Sequence, residues 1–207
     1  KAARKLVAFG LDAQQALQAG LKHKDAEVRF RCQRILSMVL SNDFKQRLEA
    51  FANDTNNSGK HDLPGWTRFR TLVGDDRRSR SLFVQMQKTE ASLIELSESD
   101  PAKVATAFAA RTHELKNSMR APSGARTMVP LGSIATLLFI STHDEVRMTS
   151  QMATDIYSFC YQKSVQDAMG GGERQQPMRQ LLGAWIARGN KWSPYQVLML
   201  AMRYEIE

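Results

Sequence analysis

Apolar residues recur at helical spacing along nearly the whole chain, and no stretch alternates apolar and polar positions convincingly enough to predict a strand. Lys1 to Phe9 predicts a helix that stops at Gly10. Asp12 caps a second, with Ala13, Ala16, Leu17 and Leu21 on one face. Asp25 opens a third, with Val28, Cys32, Ile35, Leu36 and Val39 turned inward. Phe44, Leu48 and Phe51 mark another helix, and NDTNNSGKHD (53 to 62), which lacks an apolar anchor, predicts a polar surface loop.

The stretch DLPGWTRFRTLVGDDRRSRSLF (62 to 83) concentrates a Trp, paired Asp and five Arg. Its spacing predicts a tight corner between two helices. The first begins near Asp62 and Pro64 and carries Trp66, Phe69, Leu72 and Val73 on one face. Gly74 ends it where a positive φ is required, and Asp75 and Asp76 cap the next. In that longer helix Leu82, Phe83, Met86, Leu93 and Ile94 face inward. Arg77, Arg78 and Arg80 oppose the dipole of its first turn, by a few tenths of a kcal/mol each, and pairing with the Asp residues would offset most of this cost.

Asp100 before Pro101 starts a helix bearing Val104, Phe108, Leu115 and Met119. After a loop at 121 to 130 comes LGSIATLLFIST (131 to 142), apolar all round and therefore a buried helix, yet shorter than the roughly 20 residues that span a bilayer. One long helix follows, with Met148, Met152, Ile156, Phe159, Cys160 and Val165 inward, broken by the triple Gly at 170 to 172. Met178, Leu181, Leu182, Trp185 and Ile186 mark another, and Ser193 with Pro194 starts the last. The expectation is an all-α fold of about ten helices without a sheet, a single domain over 1–207: repeat-like helices over 1–52 and an irregular helical continuation over 62–207.

Composition agrees, with 43% hydrophobic residues, 8% aromatic and only 6 Pro favouring helix over sheet. The net charge of +8 is uneven: residues 1 to 80 hold 16 Lys and Arg against 9 acids, whereas 81 to 207 hold 13 against 12. That N-terminal excess suits an acidic protein, nucleic acid or an anionic surface. A chain that starts at Lys1 without Met and ends inside a helical pattern is expected to be a piece of a longer protein, which leaves the compartment open.

Candidate chemistry is thin. Cys32 and Cys160 have no Cys-x-x-Cys spacing and read as small thiols on apolar faces. The histidines at 23, 61, 113 and 143 show no metal-binding spacing; His23 and His143 fall at helix ends, where a cation is favourable. Asp75 and Asp76 lack a third acid for a hard cation, and the triple Gly lacks the Lys that completes a phosphate loop. The residues therefore predict no catalytic group, metal ligand or cofactor. The candidate binding surface is basic: Arg29, Arg31, Arg34, Arg68, Arg70, Arg77, Arg78 and Arg80, joined by Lys45 and Arg47 if the partner is nucleic acid. Trp66 and Phe69 share their face with Leu72 and Val73, so they read as core and not as a base-stacking platform.

DAEVRFRCQRIL (25 to 36), preceded by DAQQALQAGLKH, resembles the HEAT repeat family, in which an Asp at the turn and a Val and Arg early in the next helix recur; here these are Asp25, Val28 and Arg29. Leu6 superposes on Ile35 and Val7 on Leu36 at a period suited to stacked helix pairs. A second DEVR lies at Asp144 to Arg147. HDLPGWTRFRTLVGDDRRSRSLFVQMQKTE (61 to 90) is similar to a planctomycete-type bacterial family with an LPGW…LVGDD…LFVEMQ block, and the segments Ile134 to Phe139, Tyr157 to Tyr161 and Leu181 to Ile186 match its later part. The HEAT resemblance implies stacked helical hairpins in a superhelix, whose exposed face suits a non-enzymatic protein-interaction scaffold, with weak sequence-blind nucleic-acid binding as the alternative; the bacterial-family resemblance implies fold and kinship but no activity. Export signals among the bacterial relatives imply the envelope as a location beside the cytoplasm.

Overall fold

A computed structural model describes residues 2–54, 59, 61–120, 128–146, 148–172, 174–189 and 194–206. Among them the chain is all-α: eleven α-helices and one 3₁₀ turn, with no strand. It divides into two compact units, Lys1–His61 and Asp62–Glu207.

In the first unit, α1 (Ala2–Ala8), a 3₁₀ turn (Gly10–Ala13) and α2 (Gln14–Gly20) pack against the long α3 (Ala26–Asn53). Ala13, Leu17, Ile35 and Val39 are buried together, with Leu6, Val7, Cys32 and Leu36 against them. Asp25 caps α3 as expected, accepting the Glu27 amide at 2.8 Å. Asp12 does not cap α2: it lies inside the 3₁₀ turn, and the helix begins after Ala13 without a side-chain cap. The separate helix expected around Phe44 is the second half of α3, because no Gly or Pro interrupts residues 40 to 44. Gly20 permits the close approach of α2 and α3, since a Cβ there would lie 2.3 Å from Cys32 Sγ.

The second unit is built around α5 (Arg77–Ser99) and α7 (Leu131–Ser141). All eleven residues of α7 are buried, and each large apolar side chain among them contributes about 1.5–3 kcal/mol relative to exposure. Gly132 allows the two backbones to meet: a Cβ there would lie 2.3 Å from the Gln85 carbonyl oxygen of α5. Around this pair stand α4 (Trp66–Val73), α6 (Pro101–Arg120), α8 (Ser150–Cys160), α9 (Lys163–Met169) and α10 (Gln175–Gly189), and α11 (Pro194–Tyr204) packs on α8 and α10.

The single long helix expected from Met148 to Val165 is two. Tyr161 and an extended Gln162 separate α8 from α9, and the Gln166 side chain donates back to the Tyr161 carbonyl oxygen at 2.7 Å. The triple Gly then ends α9, with Gly171 and Gly172 at positive φ. Asp144 lies in a turn and α8 is capped by Thr149, so the second DEVR is not a helix start. Arg147, Ser193, half of the loop expected over 53–62 and most of the one expected over 121–130 lie outside the described residues.

Candidate functional site

The Trp-Asp-Arg stretch is the corner its spacing predicts. Gly65, at φ 78°, precedes Trp66 at the start of α4, and Gly74, at φ 100°, follows Val73 at its end. Both need left-handed backbone, which a side chain disfavours. Trp66 is 5% exposed and packs with Phe69 and Phe83, the latter at 5.1 Å between ring centres.

The two aspartates divide their work. Asp76 caps α5 by accepting the Ser79 amide at 2.7 Å, while Asp75 accepts Nε and Nη2 of Arg80, each at 3.1 Å. Burial works to raise the Asp76 carboxyl, but hydrogen bonds from Ser79 and the charge of Arg78 hold it below its ordinary value. Arg80 itself is 4% exposed and lies over the Trp66 ring, 5.6 Å from its centre. It therefore belongs to the core of the corner and offers no binding surface.

Arg68 is likewise turned inward. It donates to Glu98 at 3.2 Å and to the Phe139 carbonyl at 3.1 Å, and its guanidinium stacks 3.7 Å from the Phe139 ring centre. Desolvation lowers its pKa in spite of Glu98. With Arg188, which donates to the Thr142 carbonyl and to Asp144 at 2.7 Å each, it satisfies carbonyls at the C-terminal end of α7. Cations at that end also complement the helix dipole.

In the first unit Arg29 reaches the carbonyls of His23 and Lys24, at 2.8 and 2.9 Å, and so locks the turn ahead of its own helix. Arg31 pairs with Glu27 and Arg47 with Asp43, one helical turn back in each case. Arg34 and Lys45 are exposed, as are Arg70, Arg77 and Arg78 of the second unit. The eight arginines named from the sequence thus serve three ends: inward structure (Arg68, Arg80), local pairing (Arg29, Arg31) and open surface (Arg34, Arg70, Arg77, Arg78).

The histidines act as local acceptors and ring contacts. His23 Nδ1 accepts the Asp25 amide at 3.1 Å and His143 Nδ1 the Glu145 amide at 3.2 Å, each just past the end of a helix. His61 meets Asp54 at 2.8 Å and stands edge-on to Phe51. Cys160 is fully buried and its thiol is pushed up to about 12 by desolvation, whereas Cys32 is only partly buried.

One polar cluster went unnoticed in the sequence. Within α5, Glu90 departs from helical backbone (φ −141°, ψ 33°) and its side chain is buried. Arg111 Nε lies 3.0 Å from both carboxylate oxygens, Nη2 lies 2.8 Å from Oε1, and Ser133 donates to Oε1 at 2.6 Å. The signal was present: Arg80, Phe83, Gln87, Glu90 and Ile94 follow one another at helical spacing, so charges stand on an apolar stripe.

Two recesses open near these groups. A groove of about 410 Å³ between α5 and α6 is lined by Ala91, Leu93, Leu96, Ala107 and the Glu90–Arg111 pair, among others. Another, of about 370 Å³, is lined by Leu131, Ser164, Asp167, Ala168, Gly171 and Arg174. In the first, Glu90 is occupied by Arg111 and Ser133; in the second, the Ser164 hydroxyl donates to the Val129 carbonyl at 3.0 Å. Among the described residues that line them, no nucleophile is held by a base. Among the described residues no helix is long and apolar enough to cross a membrane.

Apolar side chains left outside are the remaining feature. On α11, Val197, Leu200 and Tyr204 are buried, while Tyr195, Leu198 and Met202 are 71, 56 and 68% exposed. Nearby, the Tyr157 and Tyr161 hydroxyls meet at 3.0 Å, a bond that pushes the Tyr157 phenol up to about 12, and Arg203 lies over the Tyr161 ring. No family model, curated protein or solved structure matches the chain.

Proposed function

We propose that this chain is a non-enzymatic interaction module that binds other proteins through the outer faces of its helices, in the manner of HEAT-like scaffolds. The observation that supports this reading is α11: its inner face is filled by Val197, Leu200 and Tyr204, yet Tyr195, Leu198 and Met202 share a second, exposed apolar face at helical spacing. A helix with two apolar faces has one more than its own unit uses, and aligned exposed apolar groups mark contact surfaces where scattered ones do not. Tyr, Met and Arg are also the residue types enriched in such contacts. The buried carboxylates of Glu90 and Asp155 are held in ion pairs with Arg111 and Lys116, which favours structural roles for both.

The test is a variant with Tyr195, Leu198 and Met202 all changed to Ser, compared with the unaltered protein by cross-linking and mass spectrometry in cells. Loss of specific cross-linked proteins at unchanged melting temperature supports the reading. An identical set of cross-links, or a melting temperature several degrees lower, counts against it.

Sequence-blind nucleic-acid binding is the second reading, supported by the exposed Arg34 and Lys45 in one unit and Arg70, Arg77 and Arg78 in the other. Its check is filter binding of duplex DNA over a salt series, where phosphate contacts give a steep slope.

A further inference from the structure

Arg70 stands in the last turn of α4 and Arg77 and Arg78 begin α5, so three exposed arginines flank the corner turned by Gly74. The acids beside them are already engaged: Asp75 holds Arg80, and Asp76 accepts the Ser79 amide. Asp76 offsets part of the charge of Arg78. Arg70 stands in the last turn of α4, where a cation suits the helix dipole, but Arg77 and Arg78 stand in a first turn, where it does not. A local rule broken with only partial internal compensation points to a task outside the fold.

From this we infer that the Gly74 corner is a docking surface for an acidic segment of a partner protein. The inference rests on the reading of the chain as a protein-binding module, but on a surface other than α11. Charge complementarity selects the partner: guanidinium forks suit carboxylates, which they can engage in bidentate fashion. Nucleic acid fits less well. The aromatic rings of the corner, Trp66, Phe69 and Phe83, are buried, so no base can stack on them. Three phosphate contacts would give a logarithmic salt slope of only about −2.7, a weak hold at physiological salt.

The experiment is fluorescence anisotropy of a labelled oligoglutamate peptide titrated with the whole chain at physiological salt. The expected result is saturable binding that the triple variant R70Q/R77Q/R78Q weakens by about tenfold or more, with its melting temperature unchanged. The control R31Q/R47Q, which removes arginines already paired to Glu27 and Asp43, and the α11 variant L198S/M202S should both bind the peptide as the unaltered protein does. Absence of binding, equal binding by the triple variant, or tighter binding of duplex DNA under the same conditions overturns the inference. Because the α11 variant is scored separately, failure at the corner and failure of the α11 reading are told apart.

Discussion

Arg111 of α6 grips the buried carboxylate of Glu90 on α5 through three contacts of 2.8 to 3.0 Å, at the residue where α5 leaves helical geometry. Hydrogen bonding to Glu90 raises the pKa of Arg111 although burial works against it. Glu90 is 7% exposed, whereas the Arg111 side chain is 34% exposed, so the two partners are unequal. Removing Arg111 leaves a charge in the interior; removing Glu90 leaves one that water can reach.

Arg111→Ala is therefore expected to destabilise the chain by about 3 kcal/mol, the low end for breaking a buried pair. The double change Glu90→Leu with Arg111→Met should cost far less than the single one, since a buried pair replaced by apolar groups is often nearly neutral. Urea unfolding of both singles and the double, read as a mutant cycle, measures the coupling.

At the corner, Trp66→Ala should cost about 3–5 kcal/mol, as large-to-small core changes do. Arg80→Ala should also destabilise, because it removes two contacts to Asp75 and the guanidinium over the Trp66 ring. Arg77→Ala with Arg78→Ala should leave thermal stability nearly unchanged. Melting curves of the three variants decide the matter; a neutral Trp66 change would overturn the assignment of this residue to the core.

Two glycines make unequal predictions. Gly132→Ala places a methyl 2.3 Å from a backbone oxygen of α5, which cannot swing aside. Gly20→Ala meets Cys32 Sγ at the same distance, but that sulfur ends a side chain able to change rotamer. The first should cost more than the 1–3 kcal/mol or so typical of overpacking and the second no more than that range. Combining Gly20→Ala with Cys32→Ala should recover most of the loss, as chemical denaturation would show.

The Cys160 thiol, raised by burial from 9.0 to about 12, makes stability depend on alkaline pH. Below its unfolded pKa both states are protonated and the contribution is constant. Between about 9 and 12 the unfolded chain gives up the proton and the folded one keeps it, so stability falls as pH rises. Cys160→Ala should flatten the alkaline limb of a stability-against-pH curve. In the unaltered protein at pH near neutrality, a thiol reagent should modify Cys160 only after unfolding, whereas Cys32, partly exposed, should react first.

How far the fold could be read beforehand depends on the range of each signal. Asp25 as a cap, Gly74 at positive φ and the wholly buried helix from Leu131 are local statements, made by a residue and its near neighbours. No Gly or Pro marks the Tyr161–Gln162 break, and Asp12, a common capping type two residues past Gly10, falls inside the 3₁₀ turn instead. Arg68 resembled a surface cation because its partners, Phe139 and Glu98, lie far off in sequence and meet it only once helices pack; for Arg80 the pairing with Asp75 is local, and what packing added is its burial over the Trp66 ring.

By itself the sequence determined the helical class, the capped starts, the glycine corner and the apolar faces, because periodicity and backbone preference act over a few residues. Only the tertiary structure decided which charges go inward. An Arg on a helix can face water or pair in the interior at similar local cost, and the choice rests on what distant segments bring beside it. That is why Glu90 with Arg111, separated by 21 residues, emerged from packing alone, and why Arg70, Arg77 and Arg78 stood apart as surface only after Arg68 and Arg80 had been taken inside.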